Sequence, residues 1–187
     1  AFAKDGSLKD YDYFFRRLIA KKAHVLSEAE EKILAQTSEP MDTANGVFEM
    51  LDNAELNLPE IELDGKKEQL THGLYSVLLS GSDGKKRAEA FALYYSAYRK
   101  IINTLATTYF GNVKKDIFYK NVRGYESCLK MALSEEDVSA EVYGNLISAV
   151  HDAFPLMHRY MEIRKKELGG KEMHVYDLHV PLVENAE

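Results

Sequence analysis

Apolar positions recur every three or four residues through most of this chain, the period of helices that bury one face. Leu8, Tyr11, Phe15 and Leu18 form the first such stripe and predict a helix over residues 8–22. Asp10 and Asp12 fall near its start and Lys21-Lys22 near its end, as the helix dipole favours. Ser27 and Glu30 have the spacing of a capping box, in which the serine oxygen takes an orphan N–H and the glutamate reaches back to the cap. A short helix over residues 28–37 should come next, closed by Pro40. A third helix is then expected to carry Val47, Phe48 and Leu51 inward.

The period changes at Leu58-Pro59-Glu60-Ile61-Glu62-Leu63, whose second half alternates apolar and polar residues as a half-exposed strand does. Asp64-Gly65 supplies the positive φ of a tight hairpin turn, and residues 66–70 would return. The expectation is a small β-hairpin within residues 57–70 that must pack on helices, since two short strands are not stable alone. Helix resumes at Thr71-His72-Gly73 and stops at Gly81-Ser82-Asp83-Gly84. That loop comes after a helix and precedes no Gly-Lys-Ser/Thr, so it reads as a stop and a new cap, not as a phosphate loop. A long helix is expected from residue 85 to at least 109. Its stripe is Phe91, Tyr94, Tyr95, Tyr98, Ile101, Ile102, Leu105 and Tyr109, read as core packing, with Gly111-Asn112 a candidate dent or end. Asn121-Val122-Arg123-Gly124 should terminate the helical run beyond Asn112. Ser134 with Glu135-Glu136-Asp137 suits the head of a helix. A second long helix is expected over residues 140–168, kinked by Pro155 and stopped by Gly169-Gly170; residues 173–183 should be extended. The fold class is therefore mainly α: a multi-helix domain with two long helices and one small β-hairpin.

At 187 residues and 45% hydrophobic, the chain is long enough for one real core. Its formal charge of -6 argues against a nucleic-acid partner, which would want a basic face. Three local basic clusters, Arg16-Arg17 with Lys21-Lys22, Lys85-Lys86-Arg87 and Arg164-Lys165-Lys166, read as solvated helix faces. Cys128 is the single cysteine; it reads as a small packed side chain and suits a reducing compartment, so a cytoplasmic protein is expected. No apolar run reaches membrane-spanning length, and no membrane partner is expected. Ala1 in place of methionine, and the halt at Asn185-Ala186-Glu187, give both ends the look of cuts within something longer.

Of the six histidines, none opens a His-Glu-x-x-His motif. His151 and His158 lie two turns apart on one helix, but the positions one turn beyond His151 are Phe154 and Pro155, which cannot ligate a metal. His174, Asp177 and His179 are closer; in an extended segment Asp177 and His179 would share a face, yet no cysteine or second carboxylate stands nearby. No Gly-x-Ser-x-Gly elbow occurs. The residues themselves yield no catalytic, cofactor-binding or metal-binding position.

Several ordered stretches do resemble one family. Arg123-Gly124-Tyr125-Glu126-Ser127 is similar to the Arg-Gly-Tyr signature of oligoendopeptidase F and its relatives. Val142-Tyr143-Gly144-Asn145-Leu146-Ile147, Pro155-Leu156-Met157-His158-Arg159-Tyr160 and Tyr176-Asp177-Leu178 with Pro181-Leu182 come after it in order. Upstream, Leu26-Ser27-Glu28-Ala29-Glu30-Glu31 and Lys86-Arg87-Ala88-Glu89-Ala90-Phe91 resemble it too. The resemblance implies a large helical oligopeptidase with a deep channel. It would cleave short peptides with a zinc held by a His-Glu-x-x-His helix and a later glutamate. No catalytic or metal position of that family lands within these residues. His158 and Tyr176 match family positions and read as packing and hinge residues. The chain is thus expected to be a non-catalytic N-terminal helical region, residues 1–187. It would form a wall of the substrate channel, with the catalytic domain and its zinc supplied by further polypeptide. It is expected to be inactive alone and to self-associate, through a surface near residues 176–183. The alternative is a stand-alone acidic helical module that binds a partner protein.

Overall fold

A computed structural model describes residues 6–170 and 172–183, with side chains from residue 9 onward. The side chain of Leu8 in the first expected stripe, and the two ends at Ala1 and Asn185-Ala186-Glu187, lie outside this description. The chain divides into two compact units, Ala1–Phe48 with Thr107–Ser148, and Glu49–Ala106 with Ala149–Glu187.

The first unit opens with a 3-10 turn, Gly6–Tyr11, that feeds α1 (Asp12–Lys22). The expected capping box starts α2 (Glu28–Gln36): the Glu30 N–H donates to Ser27 Oγ at 3.4 Å and the Ser27 N–H donates to Glu30 Oε2 at 2.9 Å. Pro40 does not close this unit. It sits in the first turn of α3 (Ser38–Met50), where its missing N–H would have had no helical partner anyway. Val47 and Phe48 are exposed at 40% and 42%, so α3 does not carry them inward. α6 (Ile102–Val122) runs into this unit, succeeded by α7 (Cys128–Glu135) and the start of α8 (Ala140–Glu167). Ser134 ends α7 instead of heading a helix; its hydroxyl donates to Met131 O at 2.7 Å, and Ser139 caps α8. Cys128 is half-buried.

The second unit holds the clearest core. β1 (Glu60–Leu63) pairs antiparallel with β2 (Lys66–Gln69), Ile61 opposite Glu68 and Leu63 opposite Lys66. Asp64 and Gly65 take φ of 51° and 74°, the two positive values a type I′ turn requires. The alternation read from sequence points Ile61 inward, 1% exposed, beside Leu58 and Leu70. These pack on Ala90 and Ala97 of α5 (Gly84–Lys100), small residues that let the ribbon approach the helix. α4 (His72–Ser80) lies against α5, each capped by the residue before it, Thr71 and Asp83.

The long helix expected over residues 85–109 is two helices. Ile101, at φ -112° and ψ 16°, breaks it between α5 and α6, and its N–H donates to Tyr98 O at 3.1 Å. No glycine or proline marks that break. Beyond it Ile102 and Tyr109 are not core, at 57% and 68% exposure, while Leu105 is half-buried. Gly111, the expected dent, lies within α6, and the lack of a side chain there admits α3: a Cβ would stand 2.8 Å from the Cβ of Ala44. α8 continues through Pro155, and Gly169, at φ 65°, takes the left-handed position after it. Residues 173–183 are not extended; Val175–Asp177 forms a 3-10 turn.

The Gly111 contact makes a direct prediction. Alanine is worth about 1 kcal/mol more than glycine inside a helix, yet Gly111→Ala should lower stability by about 1–3 kcal/mol through overpacking. In urea titrations Gly111→Ala with Ala44→Gly should be more stable than the two single losses together imply, by more than about 0.5 kcal/mol.

Candidate functional site

The Arg-Gly-Tyr stretch forms an elbow after α6 in the first unit. Gly124 turns the chain at φ 68°, a conformation that disfavours a side chain. Arg123 Nη1 and Nη2 donate to the two carboxylate oxygens of Glu31, at 3.0 and 3.1 Å, a bidentate fork. Arg123 Nη1 also donates to His24 O at 3.1 Å, and the His24 ring bonds back through Nδ1 to Arg123 O at 2.8 Å. Tyr125 stacks on His24, centroids 3.6 Å apart. The Arg123 fork holds the Glu31 carboxyl below its ordinary pKa, assisted by the Leu26 N–H. These groups tie the α1–α2 bend to the α6–α7 bend. Arg123 is spent on partners within the unit, so the chemistry of the signature is that of a clamp. A cleft of about 430 Å³ lies beside it, lined by His24, Tyr125, Leu133, Ser134 and Val138 among others.

In the second unit, a buried ionic cluster holds the last described segment. Arg87 Nε and Nη2 donate to Asp177 Oδ1 at 3.1 and 2.8 Å, and Nη1 donates to Gly81 O and Ser82 O. The His174 N–H donates to Asp177 Oδ2 at 2.9 Å. Arg164 Nη2 donates to Asp177 O and Val180 O at 3.2 and 2.7 Å, while its buried Nε finds no partner. Arg87, Arg164 and Asp177 are each below a tenth exposed. Arg87 and Arg164 therefore correct the reading of their clusters as solvated faces. Two signals were in the sequence: Arg87 stands three residues before Ala90 on the packed face of α5, and Arg164 stands three after Met161 on the apolar stripe of α8.

A third array links the segment after α3 to α4 and α5. Tyr98 OH donates to Asp52 Oδ1 at 2.6 Å, the Tyr94 hydroxyl lies 3.2 Å from that of Tyr98, and His72 Nδ1 lies 2.8 Å from the Tyr94 hydroxyl. Burial, then the bond to Asp52, pushes the Tyr98 phenol far above its usual value, so it remains a donor at neutral pH. Tyr75 stacks on Tyr94 at 3.9 Å and is pushed up to about 12, chiefly by burial.

The candidate metal ligands are not brought together. His151 and His158 are exposed on α8, with Phe154 against both rings at 5.1 and 6.3 Å. His174 stacks on Tyr176, His179 is exposed, and Asp177 turns inward to Arg87. Among the described residues no three His, Cys, Asp or Glu side chains could hold a metal ion. The zinc that the resemblance implies thus finds no fitting donor set among the described residues.

Burial works to raise the Asp177 pKa, but the His174 N–H and Arg87 outweigh it and hold the value below the ordinary one. Its stabilisation is complete above the unfolded carboxylate value of about 3.9 and is lost as pH falls through the lower folded value. Asp177→Asn should cost about 3–5 kcal/mol at pH 7 by stranding Arg87. The gap between parent and variant should close below about pH 4 in pH-resolved urea titrations.

Comparison with known proteins assigns the fold to a family. The family model described as Oligopeptidase F matches residues 1–57, and that of Peptidase family M3 matches residues 77–185. Oligopeptidase PepF of Bacillus subtilis is 41% identical over 180 residues, 96% of this chain and 27% of the relative. An oligoendopeptidase F homolog of Lactococcus lactis is 41% identical over 94% of this chain and 29% of its own length. The crystal structure of oligoendopeptidase-F from Enterococcus faecium superposes with a TM-score of 0.87 at 36% identity, covering 98% of this chain and 37% of that one. A putative peptidase from Chlamydophila abortus gives 0.90 at 27% identity, with 97% and 31% covered. This chain spans less than a third of the length of both curated relatives. With one model matching more than half of the chain, the chain belongs to peptidase family M3, and over nearly all its length it is similar to oligoendopeptidase F proteins.

Proposed function

We propose that this chain is the non-catalytic N-terminal helical region of a zinc metalloendopeptidase that hydrolyses short peptides, and that it forms a wall of the substrate channel. The observation that carries the reading is the ordered similarity to oligoendopeptidases over nearly the whole chain, together with a sequence in which no histidine is followed by glutamate. The role is therefore structural: to exclude folded proteins and orient flexible peptides at chemistry supplied elsewhere. The zinc and the general base would come from the part of the protein that corresponds to the remaining length of the relatives, and the activity would be cytoplasmic.

The surface supports this reading. Large apolar groups on α1, α6 and α8, such as Phe14, Tyr109 and Leu146, are exposed at 58%, 68% and 62%. Apolar surface of this extent on a protein marks a face meant to be covered.

The expected outcome is zinc-dependent cleavage of a quenched fluorescent oligopeptide by the protein translated with its downstream sequence, abolished by a chelator, and none by the 187-residue chain. Zinc-dependent cleavage by this chain alone would overturn the proposal. So would a natural stop codon after residue 187, which would instead favour a stand-alone interaction module.

A further inference from the structure

The turn that comes after α3 is joined to α4 and α5 by a row of polar side chains, all within the second unit. Leu51–Glu55 forms one π-helical turn, closed by the Leu56 N–H donating to Leu51 O at 2.8 Å. On this turn Asp52 Oδ1 accepts from Tyr98 OH at 2.6 Å. The hydroxyls of Tyr98 and Tyr94 are 3.2 Å apart, and the Tyr94 hydroxyl is 2.8 Å from His72 Nδ1. Both tyrosines belong to α5, and His72 opens α4. Tyr75 stacks on Tyr94 at 3.9 Å and holds its ring.

Proton counting gives this row a direction. A tyrosine hydroxyl carries one hydrogen and donates once, and a carboxylate only accepts. Tyr98 spends its hydrogen on Asp52. In the bond between the two tyrosines the donor is therefore Tyr94 and the acceptor Tyr98. Tyr94 then has no hydrogen left for His72, so their contact requires the hydrogen to sit on Nδ1.

We propose that this row is a one-way hydrogen-bond device in which Asp52, acting through Tyr98 and Tyr94, fixes uncharged His72 as the Nδ1–H tautomer. Left to itself, the Tyr94–His72 pair would run the other way. A phenol, titrating at about 10, is a ready donor, and a bare imidazole nitrogen is a strong acceptor. Asp52 overrides that preference, because reversing the row would take from it a charge-assisted bond, roughly twice as strong as a neutral one. Uncharged imidazole carries its hydrogen on one nitrogen only, so Nε2 is left as an acceptor. Asp52 O, 3.5 Å from Nε2, is an acceptor as well, and no bond joins the two in this form. His72 is exposed, so the row ends in a lone pair that takes a hydrogen from water or from a donor on another group. A surface ring thereby reports the state of Asp52, and the π-helical turn is anchored to α5 by bonds that strengthen one another. None of this depends on the peptidase reading.

Long-range proton–nitrogen correlation spectra at about pH 8.5, well above the ordinary imidazole value, test it. The His72 signals are assigned by their loss in His72→Gln. His72 Nδ1 should resonate as a pyrrole-like nitrogen and Nε2 as a pyridine-like one. Tyr98→Phe removes the acceptor for the Tyr94 hydrogen, and Asp52→Ala lets the Tyr98 hydrogen turn back to Tyr94. In each variant the two nitrogens should exchange character while circular dichroism is unchanged. A parent His72 with its hydrogen on Nε2 overturns the proposal. An Nδ1–H pattern that survives Tyr98→Phe or Asp52→Ala overturns it too, since the ring would then be governed from outside this row.

Discussion

The ion pair between Arg87 and Asp177 decides how much of this chain's second unit is covered. Asp177 is held by two nitrogens of Arg87 and by the His174 N–H, and its own carbonyl accepts from Arg164. Through it the segment around residues 174–180 is fixed across α5 and the end of α8. Burying two guanidinium groups is favourable only because nearly every donor finds an acceptor. Where that segment ends, coverage of α8 ends, and the helix presents its apolar stripe to water.

The two charge clusters play parallel parts. Arg123 and Glu31 tie two helix bends in the first unit; Arg87 and Asp177 tie a terminal segment to α5 in the second. In both, arginine is used for its planar fork, which a lysine would not reproduce. The Arg-Gly-Tyr signature that marks the family is thereby explained by backbone geometry and packing: a left-handed glycine, a stacked ring and a bidentate pair.

Much of the local structure is legible in the sequence. The Ser27–Glu30 box, the Asp64-Gly65 turn and the caps at Thr71 and Asp83 are local signals, each satisfied by atoms within four residues, and each appears. Pro40 misleads because the same residue can end one helix or begin another, and only the spacing of the backbone bonds distinguishes them. The break at Ile101 carries no glycine, proline or polar interruption, so an unbroken apolar period hides it. Inwardness of Val47, Phe48 and Tyr109 fails for a different reason: periodicity finds the apolar face of a helix but not what covers it. Arg87 and Arg164 escape sequence reasoning because a charged residue at a core position becomes buried only through a partner distant in sequence, ninety residues away for Arg87.

The central claim is that these helices are scaffold whose bare faces are closed by further polypeptide of the same protein. Amide hydrogen exchange along α8, measured at a concentration too low for self-association, tests it most directly. The account predicts that residues 140–161 exchange markedly more slowly in the protein translated with its downstream sequence than in the 187-residue chain. Equal exchange in the two would contradict it.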